Sequence, residues 1–178
     1  MDNKINEIIK ENINTFSLPR YHEIPDVGLF LEQTVRLVNG YLVQLGGFEL
    51  TNSMISNYVK QGLVASPVKK EYHREQIAAI IFIAIMKPVL SLEELKRCFA
   101  LQQATYPLDV AYNYMCAEFE NILQYVFGIK KELEKNGTTN SEAKTLFQNM
   151  ITTVVHKIHL AKYLNEVSKT LEVEKEKH

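Results

Sequence analysis

The chain has 178 residues and a mass of 20.5 kDa, with 46% hydrophobic and 23% charged residues. That composition suits one compact unit, or a small domain with a dimerisation arm, and excludes a largely disordered chain. The net charge of −1 hides an uneven spread: residues 51–97 hold 7 basic and 4 acidic groups, residues 1–50 hold 4 and 7, and residues 98–178 hold 9 and 10.

Nearly every segment carries a helical pattern. Residues 4–16 place Ile5, Ile8, Ile9, Ile13 and Phe16 on a rough stripe, interrupted by Ser17-Leu18-Pro19-Arg20. Pro25 and Asp26 open a second helix with Leu31, Val35, Val38, Leu42 and Leu45 on one side, closed by Gly46-Gly47. Thr51 is a good N-cap for a short helix that stops at Gly62. Residues 63–73, with Pro67 and the pair Lys69-Lys70, predict an extended loop or a small two-stranded wing. Residues 74–87 are apolar nearly all round, which predicts a helix at the centre of the core, stopped by Pro88. Ser91-Leu92-Glu93-Glu94 is a capping box that starts a helix running to about Gln102. Tyr106-Pro107 marks a boundary.

Beyond it, residues 108–135 align Tyr112, Met115, Phe119, Ile122, Leu123, Val126 and Leu133, with Asn136-Gly137 as the stop. Thr139-Asn140-Ser141-Glu142 is a second capping box. The last helix aligns Leu146, Phe147, Met150, Ile151, Val154, Ile158, Ala161, Leu164 and Leu171. The two form an antiparallel hairpin. The final stripe is longer than one partner helix can cover, which predicts a two-fold homodimer. The longest apolar run, residues 77–86, is too short to span a bilayer, and the N-terminus does not resemble a signal peptide. The expectation is a soluble cytoplasmic protein.

The short helix 51–61 carries the most chemical information. Met54, Ile55, Tyr58 and Val59 fall on one face; Ser53, Ser56, Asn57 and Lys60 fall on the other, with Asn52 at its N-terminal end. An ordinary solvent face favours Glu, Lys and Gln, whereas Ser and Asn are poorer helix formers. Short hydrogen-bonding groups suit close approach to base edges and phosphates. The order of elements around it is that of a winged helix-turn-helix.

The run Ile55-Ser56-Asn57-Tyr58-Val59-Lys60-Gln61-Gly62-Leu63-Val64 resembles the recognition helix and following turn of MerR-type regulators. The segment from Pro67 to Arg74 resembles their wing, although Glu71-Tyr72-His73-Arg74 lacks the usual glycine. Ser91-Leu92-Glu93-Glu94-Leu95-Lys96 resembles the helix that closes their DNA-binding domain. Residues 18–99 resemble the bacterial family catalogued as domain of unknown function 1836, itself likened to MerR. The matching stretches are Leu18-Pro19-Arg20-Tyr21, Ser53-Met54-Ile55-Ser56-Asn57-Tyr58-Val59-Lys60 and Pro67-Val68-Lys69-Lys70.

The expected fold is mainly α: an N-terminal helical arm over 1–17, a MerR-like winged helix-turn-helix over 18–103, and a C-terminal α-hairpin over 107–172 for dimerisation or ligand sensing. The expected function is transcription regulation through duplex DNA, with no enzymatic activity and no cofactor. Asn52, Ser53, Ser56 and Asn57 would face bases or phosphates. Lys60, Lys69, Lys70 and Arg74 would neutralise phosphates, with Arg20 a further candidate. An unidentified small-molecule effector is a further partner the hairpin would accommodate. The alternative, which the low net positive charge leaves open, is an all-helical protein-interaction module without DNA binding.

Other constellations are poor. His156 and His159 lie three apart on the last helix, but no Cys or carboxylate pair completes a metal site. Cys98 and Cys116 suit burial as small hydrophobes in a reducing compartment. Glu118 and Glu120 point in different directions on a helix and make no acid/base pair. Tyr112, Phe119, Tyr125 and Phe127 suit a helical core better than a pocket lining.

Overall fold

The computed structural model describes residues 2–135 and 141–175. Over these it is mainly helical, and its organising element is the helix that is apolar on every side. That helix, α4 (Arg74–Met86), buries ten of its 13 residues, including all five of its isoleucines. Such a helix must be covered all round. Its cover comes from α2 (Leu31–Leu42), α6 (Leu108–Val126) and α7 (Glu142–Lys175), which pack directly on it. Phe82 of α4 adds an edge-on contact to Phe99 of α5 (Leu92–Thr105), with ring centroids 5.2 Å apart, and a stacked contact to Phe147 of α7 at 5.9 Å. The remaining elements are α1 (Asp2–Glu11), α3 (Asn52–Lys60), two single-turn 3-10 helices (Tyr21–Glu23 and Val43–Leu45) and one antiparallel sheet of two short strands, β1 (Leu29–Phe30) and β2 (Glu71–Tyr72). Among the described residues no helix is long and apolar enough to cross a membrane.

The capping box at Ser91 forms as expected: Ser91 N donates to Glu94 Oε2 at 2.7 Å, and Glu94 N donates to Ser91 Oγ at 3.3 Å. Both N-terminal amides gain an acceptor. Ser141 also caps its helix, taking Lys144 N at 3.2 Å, while Thr139, Asn140 and the stop expected at Asn136-Gly137 lie outside the described residues.

Three expected boundaries and one expected buried stripe are corrected. The first helix ends at Glu11 rather than near residue 16, yet Ile13 and Phe16 remain buried through the turns that follow. The second helix begins at Leu31, not at Pro25–Asp26. Residues 25–28 instead turn the chain into β1, which pairs Leu29 with Tyr72 and Phe30 with Glu71. The helix expected over 108–135 stops at Val126, where Gly128 adopts φ +69°. Ile129 N reaches Gln124 O at 2.8 Å and Gly128 N reaches Tyr125 O at 3.0 Å, a glycine-terminated end that satisfies the last carbonyls. Leu133, expected on the buried face, is 50% exposed.

The fourth correction concerns α7. Met150, Ile151, Val154 and Ile158 are buried as expected, but Leu146, Ala161, Leu164 and Leu171 are exposed. A straight helix turns every 3.6 residues, so a line drawn at wider or narrower spacing drifts off the contact face. α7 also packs against α1, and Lys162 Nζ would lie 3.9 Å from a Cβ built on Gly46.

The segment before the sheet is tied to the hairpin by charge. Arg20 donates Nη1 to Glu120 Oε1 at 2.8 Å and Nη2 to Glu120 Oε2 at 2.6 Å, and Leu18 N donates to the same carboxylate at 2.8 Å. Tyr21 N adds a bond to Asn113 Oδ1 at 2.8 Å. Arg20, a phosphate candidate from sequence, is therefore an internal clamp. Glu120 is only 14% exposed, so removing its partner strands a carboxylate. Arg20→Ala should cost about 1–3 kcal/mol in a denaturant titration, less than a fully buried pair because the guanidinium is partly solvated. The double substitution Arg20→Met with Glu120→Met should recover part of that loss.

Candidate functional site

The helix α3 stands on a buried underside. Ile55 and Tyr58 are buried, and Met54 and Val59 are half-buried against the core. Thr51 caps the helix, its hydroxyl accepting Met54 N at 3.3 Å and lying 2.9 Å from Ser53 Oγ. The connection from α2 is pinned by Asn39, which donates Nδ2 to Leu50 O at 3.0 Å and accepts Leu50 N at 2.8 Å. The two helices are thus held across their turn by one side chain that bonds both backbone groups of Leu50. On the outer face, Asn52, Ser53, Ser56, Asn57 and Lys60 are all exposed. The division of inner and outer residues matches the sequence expectation.

The second feature is a tight turn. Val68 N donates to Glu71 O at 3.1 Å and Glu71 N donates to Val68 O at 2.9 Å, so Lys69 and Lys70 are the two central residues of a hairpin. Both have positive φ, 51° and 70°. This is the pattern of the mirror-image turn that Asn-Gly adopts without strain. For side chains of L chirality the left-handed region costs about 1 kcal/mol or more per residue. Two exposed lysines are held at the tip of this turn at that cost.

Three contacts hold the turn in place. β2 pairs with β1, and Tyr72 is buried. Gly28 lies under Glu71: a Cβ built there would sit 2.8 Å from Glu71 Cβ, so only glycine permits this approach. Gln76, a buried polar residue in the otherwise apolar α4, donates Nε2 to Ala65 O and Ser66 O, each at 3.0 Å. Its Oε1 accepts His73 N at 2.8 Å. One amide therefore joins the segment leading into the turn to the start of α4.

Arg74 does not extend into solvent as a phosphate contact would require. Its Nε donates to Ile24 O at 2.8 Å, its Nη1 lies 3.8 Å from Asp26 Oδ2, and its guanidinium stands 5.8 Å from the Tyr21 ring centroid. It secures the 24–26 segment that feeds β1. Lys60, Lys69 and Lys70 are exposed and, among the described residues, take part in no ion pair. The cations available to a polyanion in this region are thus fewer than a charge count suggests, and two of them share one turn.

The remaining candidates settle into structural roles. Burial pushes the thiol of Cys98 up and that of Cys116 up to about 12, so both stay protonated and poorly nucleophilic at neutral pH. His159 packs edge-on against Phe127 with centroids 4.9 Å apart, and burial followed by the neighbouring His156 lowers its pKa. Among the described residues no group of three metal-ligating side chains exists. Glu118 accepts Gln148 Nε2 at 2.8 Å while Glu120 takes Arg20, so the two carboxylates face different neighbours. Tyr112, Phe119 and Phe127 are buried, whereas Tyr125 is 43% exposed.

Residues 19–115 match the family model described as Domain of unknown function (DUF1836). The chain belongs to that family. The DUF1836 match takes in α2 to α5, the sheet and the lysine turn, and ends at Met115 within α6. It therefore passes the boundary expected at residues 103–107. The Arg20–Glu120 clamp joins the DUF1836 region to the part of α6 beyond it. No curated protein and no solved structure matches the chain.

The strain in the turn gives a direct expectation. Replacing Lys69→Asn and Lys70→Gly together should raise stability by about 1–2 kcal/mol, because those residues accept positive φ at little cost. Thermal unfolding of the parent and the double variant checks it; a lower melting temperature for the variant would contradict the strained turn.

Proposed function

We propose that this chain is a transcription regulator that binds duplex DNA as a homodimer through a MerR-like winged helix-turn-helix. In this reading α2 and α3 are the helix pair, α3 enters the major groove, and the Lys69–Lys70 turn is the wing. The carrying observation is the pair of adjacent lysines kept at positive φ on an exposed hairpin tip. Backbone strain persists where surrounding structure over-determines it, and such sites cluster where function needs a particular presentation. Here it presents two ammonium groups side by side, which suits the phosphates of a duplex.

The outer face of α3 supports the same reading. Asn57 and Ser56 sit mid-helix on the exposed side, free of competing side-chain bonds among the described residues. An Asn there is able to bond adenine bidentately, and serines to meet base or phosphate. Ser53, bonded to Thr51, and Asn52 lie at the helix N-terminus, where backbone amides favour a phosphate. Lys60, Lys69 and Lys70 neutralise phosphates. Arg74 positions the wing rather than touching DNA.

Three exposed leucines on α7 support the dimer. Leu160, Leu164 and Leu171 are 57%, 61% and 48% exposed and follow one another at a spacing of four and seven residues. That spacing keeps them on one seam, as between paired helices. A second copy crossing there would bury them symmetrically.

One observation favours the alternative reading of a protein-interaction module. Val27, Phe30 and Val68, all more than half exposed, surround the small sheet. An apolar rim beside the lysine turn would suit a protein partner.

Salt dependence separates the two. Binding to a random-sequence duplex, followed by fluorescence anisotropy across a salt series, should weaken on all sequences when Lys69 and Lys70 are both replaced by Ala. The slope of log K against log salt should become shallower by about one to two. An unchanged slope would remove the turn from DNA binding and leave the protein-interaction reading. For assembly, light scattering at tens of micromolar should report a dimer, and Leu160→Glu with Leu164→Glu should give a folded monomer. A parent chain that is monomeric with and without DNA would contradict the dimer.

A further inference from the structure

Of the stretches that carry the family resemblance, Leu18-Pro19-Arg20-Tyr21 reaches no proposed DNA contact. It begins a strap, residues 18–28, that runs from α6 to the sheet. Its first part is tied to α6: Arg20 and Leu18 N meet the Glu120 carboxylate, and Tyr21 N donates to Asn113 Oδ1 at 2.8 Å. The Tyr21 ring stands edge-on to Tyr112 of α6, with centroids 6.1 Å apart. The Arg74 guanidinium lies over that same ring, 5.8 Å from its centroid. Arg74 in turn holds the second part of the strap, through Ile24 O at 2.8 Å and Asp26 Oδ2 at 3.8 Å. The strap ends with Gly28 under Glu71, and β1 then pairs with β2. Glu71 itself bonds Val68 across the lysine turn.

We infer that this strap couples α6 to the Lys69–Lys70 turn, with the Tyr21 ring as the joint, so that a shift of α6 tightens or loosens the turn. The turn supplies the second state that such coupling needs. Both lysines sit at positive φ, a region that L side chains disfavour. A turn held against its own preference has a relaxed form to adopt when the hold weakens. The joint is of a kind that gives: a ring edge and a cation over a ring are weak contacts beside the two-pronged Arg20–Glu120 pair.

The hold on the turn is divided. Gln76 fixes the leg that enters it to α4, and the strap fixes the leg that leaves it, through β1. α3 hangs on a separate support, Asn39 of α2. A shift carried by the strap therefore reaches the turn and spares α3. Its far end lies on α6, which packs along α7, so pairing of that hairpin with a second copy would be felt at the turn. What the turn binds rests on the DNA reading above; the coupling does not.

The test is native-state hydrogen exchange of the full chain by NMR, without DNA. Asn113→Ala removes a contact on α6 and leaves every residue of the strap and the turn in place. It should speed exchange of the Val68 and Glu71 amides, which bond across the turn, at least about threefold. Exchange at Ile80 and Ile81 in α4 and at Tyr58 in α3 should stay as in the parent. Tyr21→Leu should speed the same two amides, and adding Asn113→Ala to it should have little further effect. Tyr21→Phe, which keeps the ring, should exchange like the parent. Turn amides unchanged in Asn113→Ala would overturn the proposal. So would a rise shared by Ile80 and Tyr58, which would make Asn113 a general stabiliser, additive effects of the two substitutions, or a Tyr21→Leu turn as protected as the parent's. Duplex binding is a separate arm: Asn113→Ala should weaken it as well, whereas a parent chain that binds no duplex while the exchange results hold would overturn the DNA reading alone.

Discussion

Everything in this fold answers to one constraint: a helix with no polar face has to be surrounded. Ile77, Ile80, Ile81, Ile83 and Ile85 are all fully buried in α4. Burying each contributes about 1.5–3 kcal/mol, an upper estimate because unfolded chains already hide some surface. No single neighbour can cover 360° of helix, so α2 and the long helices α6 and α7 take different sides. The DUF1836 region cannot complete this cover alone, since α7 lies wholly outside it. The Arg20–Glu120 pair and the Phe82–Phe147 stack hold the two parts of the chain to the same core.

The polar end of the apolar helix is what shapes the proposed interface. Over residues 72–76, β2 ends, His73 caps α4, Arg74 grips the approach to β1, and Gln76 bonds the segment entering the turn. These bonds are made where water is scarce, so each donor and acceptor depends on its partner. The rigid frame they make explains how two lysines are kept in a backbone region that their side chains disfavour. In the DNA-binding reading, the core does not touch the ligand; it sets the angle at which α3 and the lysine turn are presented.

What sequence could show here was local and periodic. The all-apolar run of α4, the inner and outer faces of α3 and the Ser91 capping box depend on residues within a turn of one another. The misplacements involve distance. A charge count treats Arg20 and Arg74 as available cations, but one is spent on Glu120, 100 residues away, and the other on Ile24 and Asp26. The start of α2 moved to Leu31 because β1 forms only once β2 is beside it. Gly128 carried a readable stop signal, masked by the apolar residues that continue to Leu133. Lys69-Lys70 carried none: without the surrounding bonds a Lys pair gives no hint of a mirror-image turn. Gln76 is a lone amide in an apolar helix, and its acceptors, the carbonyls of Ala65 and Ser66, are brought to it only by the fold.

The central claim is that α3 reads DNA sequence, and selection of bound duplexes from a random pool tests it most directly. The account predicts that the parent chain enriches a two-fold symmetric motif. Asn57→Ala should lose about 1–3 kcal/mol on that motif and relax preference at one base position per half-site, while its binding to random duplex stays within about twofold. Failure of the parent chain to enrich any motif would contradict the account, as would an Asn57→Ala variant that selects the same sequences with the same affinity.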